Sequence, residues 1–176
     1  APGATISIGA QNGSDGELLV REQGLFDSTN PVYLGGTSSV AGGVGDLIAR
    51  NGGVVSVADQ IKVWGQGTLE ADGGTVTADQ IVTTSGSTLR VAGDGSIGTT
   101  ALNLAAGTNL DLRRGELAVV GPGASFLTGI TNIAYGSTAG EPTIRLQDVI
   151  ANVTNWQLGI GSGELARTVV TGEQGN

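Results

Sequence analysis

The chain contains no cysteine, no histidine and no methionine. Its own residues therefore cannot form a Ser–His–Asp triad, a cysteine nucleophile or an ordinary thiolate–imidazole zinc site. Disulfides are excluded too, which by itself says nothing of compartment. Aromatic residues are scarce, with two Trp, two Tyr and two Phe among 176 residues. A core built mainly on large rings is thereby ruled out. Eight basic residues face sixteen acidic ones, a net charge of −8. An acidic chain of this kind repels phosphate backbones, so nucleic acid is not expected as a partner. No apolar run is long enough for a membrane-spanning helix, and membrane insertion is not expected.

What is abundant is glycine, 32 residues, beside an apolar fraction of 39% made mostly of Ala, Val, Leu and Ile. Glycine-rich chains stay disordered when hydrophobicity is low. Here the apolar residues recur at regular intervals. Val57-Ala58-Asp59-Gln60-Ile61 is matched by Thr77-Ala78-Asp79-Gln80-Ile81, and Asn51-Gly52-Gly53 by Asp72-Gly73-Gly74. A period of about 20 residues is too long for a hairpin and suits one turn of a repeat protein.

Each period divides into three short strands. The first reads Ile6-Ser7-Ile8, Val32-Tyr33-Leu34, Ile61-Lys62-Val63, Ile81-Val82-Thr83 and Leu102-Asn103-Leu104. The second reads Leu18-Leu19-Val20, Leu47-Ile48-Ala49, Leu69-Glu70-Ala71, Leu89-Arg90-Val91 and Leu110-Asp111-Leu112. The third reads Val55-Ser56-Val57, Val76-Thr77-Ala78 and Leu117-Ala118-Val119. First and third residues are mostly apolar and share one face, because side chains alternate along a strand. The expected fold is all-β: a right-handed parallel β-solenoid, or β-helix, with three short strands per coil of about 20 residues. Regular coils are expected over residues 1–127, less regular coils or an insertion over 128–157, and a terminal coil over 158–176, all in one domain.

Stacked coils should make equivalent residues neighbours. Glu70, Arg90 and Asp111 would then form an alternating charge ladder on the outer face. Tyr33 would lie over Lys62 in a cation–π contact, and Gln60 and Gln80 would form an amide ladder.

The segment Val32-Tyr33-Leu34-Gly35-Gly36-Thr37-Ser38-Ser39, followed by Gly42-Gly43-Val44-Gly45-Asp46-Leu47, has a familiar character. With Asn51-Gly52-Gly53-Val54-Val55-Ser56-Val57, Ile61-Lys62-Val63-Trp64 and Gly73-Gly74-Thr75-Val76-Thr77-Ala78, it resembles the autotransporter-associated β-strand repeats, also found in PEP-CTERM-type exported bacterial surface proteins. The likeness is best over about residues 28–92. It implies an exported, extracellular or cell-surface protein, β-helical and structural.

The two ends of the chain look alike. Ile6-Ser7-Ile8-Gly9, Gly16-Glu17-Leu18 and Glu22-Gln23-Gly24 are answered by Leu158-Gly159-Ile160-Gly161, Gly163-Glu164-Leu165 and Glu173-Gln174-Gly175. No amphipathic helix or charged cap closes either end, and an uncapped parallel stack exposes unpaired backbone groups and open apolar layers. The expected partner is a second copy of the chain, stacked head to tail into a homopolymer, since a heterologous contact that does not close makes a filament. Ile6, Ile8 and Leu18 would meet Leu158, Ile160 and Leu165 at the joint. The alternatives are that these coils form a segment of a longer solenoid or a lone capped domain.

Asp59 and Asp79 are the sharpest cluster of titratable residues. In a regular stack they lie one above the other, where like charges repel or recruit a cation such as Ca²⁺. An acid–base pair for polysaccharide cleavage is a further reading, and solvated turn carboxylates are the bland one. No other cofactor is implied. Leu19 and Ile48 form an outward apolar patch and, with outward-pointing Trp64, are candidates for lateral contact. Trp64 is also a candidate platform for a surface glycan, although a bend at Gly65 would bury it. The function expected is an extracellular structural protein, a fibre or matrix subunit and not an enzyme. Alternatives are an adhesin stalk or autotransporter passenger segment, and a carbohydrate-binding or polysaccharide-cleaving β-helix.

Overall fold

A computed structural model describes residues 4–129, 132–151, 155–159 and 161–171. The described residues hold eighteen β-strands and no helix. In chain order these begin with β1 (Ile6–Ile8), β2 (Asp15–Arg21), β3 (Leu25–Ser28), β4 (Val32–Leu34), β5 (Val44–Arg50) and β6 (Val54–Val63). There follow β7 (Gly67–Asp72), β8 (Thr75–Thr83), β9 (Thr88–Ala92), β10 (Gly95–Leu104), β11 (Asn109–Leu112) and β12 (Gly115–Val120). The last six are β13 (Ser125–Thr128), β14 (Asn132–Tyr135), β15 (Pro142–Gln147), β16 (Ile150–Ala151), β17 (Asn155–Leu158) and β18 (Arg167–Thr171).

Every strand pairing among the described residues is parallel. The strands form three sheets. An eleven-stranded sheet runs β1-β4-β6-β8-β10-β12-β15-β18, with β3, β13 and β16 joined beside that path. A five-stranded sheet runs β2-β5-β7-β9-β11, and β14 pairs with β17 alone.

The apolar triplets explain the register. Leu18, Leu47, Leu69, Leu89 and Leu110 lie opposite one another in succession. Ile6, Val32, Ile61, Ile81 and Leu102 do the same. A third column runs Phe26, Val55, Val76, Ile97, Leu117, Ile144 and Thr168. It includes Ile97, which the triplet pattern passes over, and Ile144, which places the 142–147 segment in ordinary register.

These columns face inward and pack as one continuous cluster, with Val32, Leu47, Val55, Ile61, Leu69 and Leu89 wholly buried. Each such aliphatic chain contributes about 1.5–3 kcal/mol on burial, and the repetition substitutes for the missing aromatics. Of the few rings, Phe126 and Tyr135 sit in the core.

Turns between strands reuse one solution. A backbone bond from residue i+3 to residue i closes Gln11–Ser14, Arg50–Gly53, Thr84–Ser87, Ala105–Thr108, Gly121–Ala124 and Gly161–Glu164. The third residue of each is a glycine of positive φ, as a type II or I′ turn requires.

The loop between β4 and β5 folds back as an antiparallel bridge from Gly36 to Ala41. It covers Trp64, whose indole Nε1 donates to the Thr37 carbonyl at 2.7 Å. Gly36 lies so close to the ring that a Cβ there would be 2.5 Å from Trp64 Cδ1. Strict alternation predicts an outward Trp64; instead the ring is half-buried under this loop. Tyr33 is indeed opposite Lys62 in register. The Lys62 ammonium, however, sits 3.8 Å from the Trp64 ring centre, and that is where the cation–π contact forms.

Candidate functional site

The central column on the outer face of the five-stranded sheet is Leu19, Ile48, Glu70, Arg90 and Asp111. Its charged half is the expected ladder. Arg90 reaches Glu70 at 3.2 Å and Asp111 at 2.8 Å. Arg50 adds a contact to Glu70 at 3.7 Å, and Arg113 bonds Asp111 at 3.0 Å. Glu70 is buried between its two guanidinium groups. The bond to Asp111 holds the Arg90 guanidinium above its ordinary value, against the opposing effect of burial. Burial pushes the Asp111 carboxyl up, but bonds from Arg113 and Arg90 outweigh it and leave that carboxyl below the usual range. The ladder favours the register that the apolar columns set, as alternating charges on facing strands do. Leu19 and Ile48 are paired above it, Leu19 exposed and Ile48 half-buried. Beside them Glu17 stands opposite Asp46, and Asp46 Oδ1 is a buried oxygen without a hydrogen-bond partner.

Asp59 and Asp79 do not stack squarely. Val57 faces Ala78 and Gln60 faces Gln80, so Ala58 and Asp59 together stand opposite Asp79 in a β-bulge. Asp59 Oδ1 accepts from the Gln60 amide at 2.7 Å, and both aspartates are exposed. The extra residue breaks the regular stack that the twenty-residue match implies. No group of three or more acidic side chains placed to hold a metal occurs among the described residues. The amide ladder does form, with Gln60 Nε2 donating to Gln80 Oε1 at 2.8 Å. An open hollow of about 340 Å³ lies next to the bulge, lined by Ser56, Thr77, Asp79, Gly98, Thr100 and Val120 among others.

The remaining candidates lie at the ends of the sheets. Among the described residues, β1, β2 and β3 are each paired on one side only, with β4, β5 and β6. At the other end, again among the described residues, β16, β17 and β18 are paired only with β13, β14 and β15. Ile6, Ile8, Leu18 and Phe26 are partly buried, whereas their neighbours Val32, Leu34, Leu47 and Val55 are fully covered. Val119, Leu146 and Val170 form a core column, yet Val170 is 67% exposed against 1% for Leu146. Among the described residues, the core is thus less covered at both ends.

The likeness of the two ends is one of turns, not of sheet position. Gly9 and Gly13 have φ of 66° and 76°, and Gly159 and Gly163 have 59° and 76°. Ser14 Oγ accepts from the Gln11 amide, and Glu164 Oε2 accepts from the Gly161 amide in the same way. This matches Gly163 to Gly13 and not to Gly16. Leu165 therefore does not answer Leu18: it forms an antiparallel bridge with Ser137 and is 54% exposed. Leu158 ends β17, which pairs with β14, whereas Ile6 and Ile8 belong to the eleven-stranded sheet. Ile160 lies outside the described residues.

Four residues at these ends escape the triplet pattern: Leu25 and Asp27 on β3, and Arg167 and Val170 on β18. The β-branched run Thr168-Val169-Val170-Thr171 is a strand signal that finds β18. Leu25-Phe26-Asp27 is too short and too polar to stand out. Comparison with protein-family models, curated proteins and solved structures gave no match.

Proposed function

We propose that the chain winds as a right-handed parallel β-solenoid and serves as a structural, non-enzymatic subunit of an extracellular fibre or matrix, growing by head-to-tail stacking. The observation that carries this reading is the pair of open ends. Among the described residues three singly paired strands lie at each end, all parallel, so a second copy continues the pattern without reversing it. After β18 the next strand in the winding order is equivalent to β16, and the β1 of a following subunit takes that place. By the same order β2 falls on β17 and β3 on β18. The contact is heterologous and repeats without closing. Right-handed winding rests on the strong chiral preference of parallel crossovers. The resemblance to exported surface repeats supports the extracellular placement, and the acidic surface suits a protein that must stay soluble until it assembles.

Electron microscopy and fibre diffraction of the native protein test the reading. The seven layers of the described residues, spaced roughly 4.8 Å apart, give this chain an expected axial repeat of about 34 Å. Uniform unbranched filaments with that repeat are the expected result. Single rods at all concentrations would remove the filament reading and favour a stalk segment or a longer solenoid.

A further inference from the structure

We propose that the joint between stacked subunits is fixed by an ion pair between Arg167 of one subunit and Asp27 of the next. This rests on the head-to-tail reading above and names the contact that sets its polarity and register. Arg167 is the one Lys or Arg without an ion pair or ring contact among the described residues. Its side chain is exposed on β18. Asp27 is exposed on β3, at the opposite end, and makes no ion pair among the described residues.

The columns of the eleven-stranded sheet determine how the two meet. Leu25, Val54, Thr75, Ser96, Glu116, Thr143 and Arg167 occupy one outward position in successive layers. Asp27, Ser56, Thr77, Gly98, Ala118, Arg145 and Val169 occupy the other. A following subunit in continued register puts its Leu25 beside Arg167 and its Asp27 beside Val169. Asp27 then stands diagonal to Arg167, a separation of about 7–8 Å between Cα atoms that long side chains span.

The chain already uses this diagonal. Glu116 holds the first position in one layer and Arg145 the second position in the next, and they bond at 2.8 Å. The joint repeats that geometry with the charges exchanged: the arginine in the first position, the carboxylate in the second. Leu25, 69% exposed in the single chain, gains cover from the aliphatic stem of Arg167. A reversed or end-mismatched contact would bring together two copies of the same charge, so the pair also selects head-to-tail growth.

Charge exchange tests the pairing in the full chain. Asp27→Arg and Arg167→Asp should each raise the critical concentration for assembly at least tenfold. The double variant, and a one-to-one mixture of the two single variants, should recover assembly, because each joint again has one charge of each sign. Both sites are exposed, and an unchanged thermal melt of each monomer together with the double-variant rescue separates this from misfolding. Filaments from both single variants as readily as from the original chain would overturn the pairing while leaving end-to-end stacking intact. An original chain that never assembles would overturn stacking and the pairing with it.

Discussion

At the scale of single residues, the most consequential group is the ladder of Arg50, Glu70, Arg90, Asp111 and Arg113. Glu70 is only 7% exposed, and a buried carboxylate is costly unless both charge and hydrogen bonds are met. Arg90→Met leaves it with the looser Arg50 contact alone. The expected loss is about 1–2 kcal/mol in urea unfolding of the monomer. Asp111 adds a pH signature. Its carboxyl is held below the ordinary value in the fold, so its contribution is complete above roughly 3.9 and is lost as pH falls through the folded value. Asp111→Asn should therefore flatten the acid side of the Tm profile relative to the original chain, with little change in slope above about pH 5. A profile of unchanged shape would mean that the Asp111 carboxylate gains no stability from its two arginines.

Among the elements, backbone crowding at the corners sets what each layer tolerates. Gly9 follows β1 with φ of 66°, and a Cβ there would lie 1.9 Å from the Val44 carbonyl oxygen. Neither the conformation nor the space admits a side chain, since the obstacle is backbone of the next layer. Gly98 is different: it lies within β10, and the nearest atom to a Cβ is 3.8 Å away. Gly9→Ala should cost more than about 2 kcal/mol. Gly98→Ser, which extends a column already holding Ser56 and Thr77, should stay within about 0.5 kcal/mol. Chemical denaturation of the two variants side by side decides whether glycine in this chain serves close packing of layers or mere flexibility.

For the whole molecule, the question is what covers the open core. Val170 continues the column of Val119 and Leu146 but faces solvent. In a stacked filament the next subunit covers it, and a charge there becomes buried without a partner. Val170→Asp is thus expected to leave the melting of the monomer nearly unchanged while abolishing filaments in electron micrographs and light scattering. A variant that still polymerises normally would mean that growth uses some surface other than this end. The bare ends also identify the hazard of the architecture, since open parallel edges invite pairing with any strand. The diagonal charge pair inferred above would restrict that pairing to one geometry.

The sequence by itself determined that the chain is all-β and repeats about every 20 residues, and it located most of the buried columns. That is because inside and outside alternate locally along each strand, and apolar triplets record the alternation. It also placed Glu70, Arg90 and Asp111 in one ladder and Gln60 beside Gln80, since residues one period apart become neighbours. Only the tertiary structure decided the rest. Whether Val57 faces Thr77 or Ala78 depends on a single-residue bulge, which the matched pentapeptides conceal. Trp64 turns from an outward platform into a half-buried ring because a loop some 27 residues earlier folds over it. The matching turns at the two ends occupy different corners, which the local motif cannot express. Leu25, Asp27, Arg167 and Val170 gain meaning only from the end of the stack on which they lie. Periodicity encodes which way a side chain points; what covers it is set by segments distant in the chain.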